Sequence, residues 1–239
     1  MASHVPQRRR FLGSALAAAA AATLPFREVS AAPAAASAQG SPDDWLKEVR
    51  GQYRCLFDFN AHKNGLPLLH ILNYINGYTQ AHGAQAAQVG AVGTLYGVGA
   101  GASIPLGFDD ATWMKYSLGE YMNLRDASGR PYTKNVFANP GENDGHLLSQ
   151  GMDVPALPMF DGAVRACSIR NLQTLGTKFL MCNNALGVWS FELAARGKGE
   201  QAAILADLRQ HLLPGVTIVP AMVVAIQQAQ AADIAYNRQ

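Results

Sequence analysis

The chain has 239 residues, 19 Lys and Arg against 17 Asp and Glu, and a hydrophobic fraction of 49%. The first 38 residues hold four of the basic side chains (Arg8, Arg9, Arg10 and Arg27) and one acid, Glu28, so the rest is left with 15 basic and 16 acidic groups. A near-neutral remainder of about 200 residues fits one domain with an ample core and carries no basic surface for nucleic acid. Cys55, Cys167 and Cys182 stand far apart with no C-x-x-C pair, which argues against a disulfide framework and a cysteine zinc site.

In chain order, the first segment reads as a signal. "RRRFLGSALAAAAAATLPF" joins a basic cluster to an alanine-rich run too short and too weakly apolar to anchor in a bilayer. The order Arg8-Arg9-Arg10-Phe11-Leu12 fits a twin-arginine export signal, with small-residue cleavage sites at 29–31 and 36–38, and cleavage is expected after Ala38. A periplasmic or exported destination follows from that reading, and no second apolar stretch is long enough to span a membrane. Residues 39–49 are expected to link this leader to the domain, with order beginning near Asp44.

"YRCLFDF" (53–59) reads as a buried strand, and Leu68, Leu72, Ile75 and Tyr78 then give helical spacing over 66–82 behind Pro67. Residues 89–95 read as a strand that ends in the glycine-rich loop "GVGAG". "DDATWMKYSLGEYMNL" reads as one helix with an acidic cap. Residues 125–155 are polar, turn-rich and aperiodic, and read as a long loop able to shape access to a site. A helix over 163–176 leads to the strand "KFLMC" (178–182), helices over 184–196 and 200–212, the strand "PGVTIVP", a helix over 221–232 and the short strand "IAYN". Strands alternating with helices predict an α/β domain, a three-layer sandwich around a mostly parallel sheet.

Chemistry concentrates at one junction. Cys182 ends a strand and precedes a helix, where free N–H groups and the positive end of the helix dipole favour a thiolate or a persulfide. Asn183 and Asn184 there can cap the helix or donate to an anion. The plain alternative is that Cys182 is a small buried residue at the end of a strand, and the spacing leaves both readings open. Cys55 and Cys167 read as core residues. His62 follows the first strand and would reach the same sheet edge as Cys182 if their strands are neighbours. Glu142, Asp144 and His146 in "GENDGH" read as a turn able to cover the site. No paired-histidine motif, phosphate loop or G-x-S-x-G is present, so no metal, no cofactor and no serine hydrolase of the usual α/β type is expected.

"LQTLGTKFLMCNNALG" (172–187) and "LPGVTIVPAMVVAIQQAQAADIAYNR" (213–238) together resemble the DsrE/DsrF-like family. Gly176, Phe179, Cys182, Asn184, Pro214, Gly215, Val219, Pro220, Val223, Ile226, Gln230 and Tyr236 carry the likeness. "LLHILNYINGY" and "AVGTLYGVG" are similar to the family's first helix and second strand. The likeness spans residues 50–239 and departs at 121–160, an apparent insertion, and at Tyr96, where related sequences often carry histidine. It implies a three-layer domain that forms homo-oligomers. It also implies that Cys182 carries sulfur as a persulfide, exchanged with a donor or acceptor protein; Asn183, Asn184, His62 and Tyr96 are the binding residues expected around it.

Overall fold

The short apolar runs line up side by side. In the computed structural model, which describes residues 41–239, β1 (Tyr53–Asp58), β2 (Val89–Leu95), β3 (Lys178–Cys182), β4 (Val216–Val219) and β5 (Ala235–Arg238) form one sheet. Its order is β4-β3-β2-β1-β5, and every pairing is parallel. A parallel sheet is covered on both faces, and all seven residues of β2 are buried accordingly. The predicted leader falls on residues 1–40 and lies outside the described residues.

Nine α-helices accompany the sheet among the described residues: α1 (Leu66–Asn76), α2 (Asp110–Tyr116), α3 (Leu118–Tyr121), α4 (His146–Met152), α5 (Met159–Ala166), α6 (Ile169–Thr174), α7 (Asn183–Ala195), α8 (Gln201–Gln210) and α9 (Met222–Ala231). Gly93 of β2 shows where α1 lies. A Cβ added there would stand 2.6 Å from the Phe179 ring and 3.3 Å from Ile71 of α1. Side chains alternate along a strand, so Phe57, Gly93 and Phe179 face α1, whereas Arg54, Leu56 and Leu180 face the other way. On that second face Arg54 Nη2 donates to the carbonyl of Ala232, just past α9, at 3.0 Å. Helices on both faces make the α/β sandwich expected from the alternation of strands and helices.

Three expectations change. The helix read through 109–124 breaks at Ser117, whose φ of 54° closes α2 before α3 begins. The break is imposed from outside: a Cβ at Gly119 would meet the Tyr132 carbonyl oxygen at 2.1 Å, so α3 is pressed onto the following segment. The helix read over 163–176 is two helices, with Cys167 at the joint and Ser168 capping α6 by accepting the Asn171 N–H at 3.4 Å. Residues 125–155 are no open loop. They contain α4, and Tyr132, Val136, Phe137, Leu147 and Leu148 are all buried.

Buried Asn135 is the reason this polar-looking segment packs. Its Nδ2 donates to the carbonyls of Leu106 (2.9 Å) and Phe108 (2.7 Å), and its Oδ1 accepts the N–H groups of Phe137 (3.1 Å) and Ala138 (3.2 Å). At the other end of the domain, packing starts ahead of residue 50. A 3-10 turn at Asp44–Glu48 buries Trp45, so the linker expected over 39–49 gives way to the domain near Asp44. No helix among the described residues is long and apolar enough to cross a membrane.

Candidate functional site

The carboxyl ends of the strands gather the polar groups. Cys182 is the last residue of β3 and the N-cap of α7. It is 6% exposed, and its Sγ accepts the backbone N–H of Met222, the first residue of α9, at 3.4 Å. The sulfur therefore sits at the start of two helices, α7 through its own backbone and α9 through a hydrogen bond. Both place positive partial charge beside it.

Tyr96 shares this edge. Leu95 pairs with Met181, so Tyr96 and Cys182 are the next residues on neighbouring strands, on the face opposite α1. The Tyr96 hydroxyl donates to Asp58 Oδ1 at 2.7 Å, and Tyr236 of β5 donates to Asp58 Oδ2 at 2.7 Å. Asp58 is 8% exposed at the end of β1, and the Thr94 hydroxyl lies 3.5 Å from its Oδ1. Burial first, and then the bond to Asp58, holds the Tyr96 hydroxyl well above the usual phenol range. For Tyr236 the bond to Asp58 comes first and raises the phenol in the same direction.

The two asparagines do not cap α7. Asn183 Oδ1 accepts Arg209 Nη2 of α8 at 2.7 Å, and Asn184 is exposed. His62 turns elsewhere. Its Nδ1 accepts the Asn64 N–H at 3.0 Å, and its ring lies 5.9 Å from that of Phe137 in the segment over 125–155. It is 7% exposed, and burial pushes the imidazole down to about 4 against a smaller opposing contribution from the Ala100 backbone, so it is neutral at ordinary pH. Cys182 and Tyr96 are thus brought to adjacent register positions, whereas His62 sits between its own turn and the glycine loop, its backbone N–H donating to the Gly101 carbonyl at 2.9 Å.

The glycine loop after β2 is pinned rather than open. Gly97 has φ of 96°, and an added Cβ would meet the Asn60 carbonyl oxygen at 2.3 Å. The Gly99 N–H donates to the Glu192 carboxylate of α7 at 3.0 Å, and Tyr121 donates to the same carboxylate at 2.5 Å. Asp144 of the "GENDGH" turn is buried and accepts the Tyr132 hydroxyl and the Gly141 N–H, each at 2.5 Å. Cys55 and Cys167 are buried and free, and burial pushes their thiols up to about 11 and about 12. Among the described residues no group of three or more His, Cys, Asp and Glu is placed to hold a metal ion.

Asp58, Met222 and Tyr236 in its hydroxyl role are the members that inspection of the sequence overlooks. An acid at the end of the apolar run "YRCLFD" was the available signal, because a charge there must find partners when the strand is buried. No family model matches the chain, no curated protein matches it, and no solved structure matches it.

Proposed function

We propose that the chain is an exported DsrE-like protein that carries sulfur as a persulfide on Cys182. The observation that carries this reading is the Met222 N–H aimed at Sγ at the start of α9, with α7 beginning at the same residue. Such a setting stabilises negative charge on sulfur, whether thiolate or persulfide anion. In the loading step the Cys182 thiolate attacks the outer sulfur of a donor persulfide, R–S–SH. A new Sγ–S bond forms, the donor S–S bond breaks, the donor leaves as its thiolate R–S⁻, and the proton stays on the transferred sulfur. No external oxidant enters. The donor and the acceptor are partner proteins, and the carrier works as a homo-oligomer.

A second reading has its own observation, the 6% exposure of Cys182. On that reading the thiol is an inert core residue and the domain is a non-catalytic binding module. The intact protein, incubated with a low-molecular-weight persulfide and weighed by mass spectrometry, separates the two. A carrier gains one sulfur atom that reductant removes and that Cys182→Ser never acquires. Equal gain by Cys182→Ser and the native protein, or no gain together with failure to alkylate Cys182 before denaturation, selects the binding module.

A further inference from the structure

The strand order reverses once. From β1 to β4 the strands step in one direction, and β5 returns to the free side of β1. In parallel α/β sheets ligands collect outside the carboxyl ends of the strands at such a reversal, where the backbone of neighbouring strands leaves a crevice. A cleft of about 610 Å³ opens there, against the start of α1. That volume lies within the range of roughly 300–1,000 Å³ typical of small-molecule sites. It lies on the α1 side of β1, since Phe57 and its register partner Asn237 both line it, whereas Cys182 belongs to the opposite face two strands away.

The lining has a definite chemistry. Phe57 and Tyr74 meet edge to face at 5.4 Å and, with Leu66 and Pro67, supply an apolar floor. Lys63, Asn73 and Asn237 stand around it with His70 and Gln239, and no Asp or Glu side chain lines it; Arg238, the register partner of Asp58, turns its side chain to the opposite face. Lys63 pairs with no acid among the described residues. Its backbone is held in place as well. Lys63, Asn64 and Gly65 follow one another at φ of 39°, 53° and 89°, and the turn is clamped by the Asn64 N–H on His62 Nδ1 and the Gly65 N–H on the His62 carbonyl at 2.8 Å. One basic side chain without an acid, amide donors and an aromatic floor select an anion with a flat apolar body.

We propose that this cleft binds a small organic anion, with a planar body on Tyr74 and Leu66 above buried Phe57 and a single carboxylate or phosphate head at Lys63, Asn73 and Asn237. The site is independent of the sulfur chemistry of Cys182. Titration of the intact protein with phenyl phosphate, followed by amide NMR shifts, tests it. The expected result is one saturable site with shifts confined to residues 57–74 and 237–239, and binding about tenfold weaker for inorganic phosphate, for phenol and for Lys63→Met. Asn237→Trp, at an exposed position of β5, is expected to block the cleft while the protein still melts cooperatively, and Cys182→Ser to bind as the native chain does. Shifts elsewhere in the fold, no saturation at millimolar probe, or equal affinity for phenol and phenyl phosphate overturn the proposal, as does unchanged binding by Lys63→Met.

Discussion

Asp58 ends a buried strand, and both of its oxygens are occupied by phenol hydroxyls that reach it from the strands on either side. A buried carboxylate of this kind persists only while its acceptors are filled. Tyr96→Phe and Tyr236→Phe are therefore each expected to cost about 1 kcal/mol in urea denaturation, and the double variant more than their sum, because it strips the carboxylate of both phenols. Strict additivity would mean that the carboxylate is rehydrated on losing them. His62 makes a separate prediction. Unfolded, it takes a proton near its ordinary 6.5, whereas in the fold it waits until about 4. The unfolded chain thus binds the extra proton between those values, so stability falls as pH drops from 6.5 towards 4. The loss approaches about 3 kcal/mol from this residue. His62→Gln is expected to flatten that slope in denaturant titrations at a series of pH values; an unchanged slope assigns it to other groups.

At the scale of elements, the contact of α1 with the sheet rests on the absence of a side chain at Gly93. Gly93→Ala puts a methyl 2.6 Å from the Phe179 ring, which is itself fully buried. It is expected to destabilise by about 1–3 kcal/mol, read as a lower urea midpoint at unchanged slope. A midpoint equal to the native one would show that Phe179 turns aside freely. The central strands were legible in the sequence because each is a short, largely apolar run, and "VGAVGTL" is as buried as it reads. The helix breaks were not. The apolar spacing of "WMKYSLGEYM" continues through Ser117, and the cause of its break, the approach of the Tyr132 backbone to Gly119, is a contact that periodicity does not carry. At the candidate site, the junction at Cys182 and the place of Tyr96 on the same edge could be read from where strands end. The Met222 N–H, 40 residues along the chain, and the two phenols on Asp58 depend on which strands become neighbours.

For the molecule as a whole, the middle of the segment over 125–155 adds to the core, through Val136, Phe137, Leu147 and Leu148. It was read as a loop because its packing relies on one asparagine whose partners lie 27 and 29 residues back in the sequence. Asn135→Ala leaves the carbonyls of Leu106 and Phe108 and two N–H groups without that partner, and is expected to cost about 3 kcal/mol or more. Calorimetry should show one cooperative transition moved to lower temperature. A second, earlier transition would instead make the segment an independently melting unit.

The reversal of strand order also sets the timing of folding. β5 pairs with β1 across about 180 residues of chain, so β1 keeps a raw edge and Asp58 lacks one of its two phenols until Tyr236 is available. Contacts of such long sequence separation make folding slow. A nascent chain that has passed β4 but not reached β5 presents unpaired backbone and a half-satisfied buried carboxylate, a form suited to capture by chaperones or to aggregation. The domain closes as a unit only when its last strand arrives.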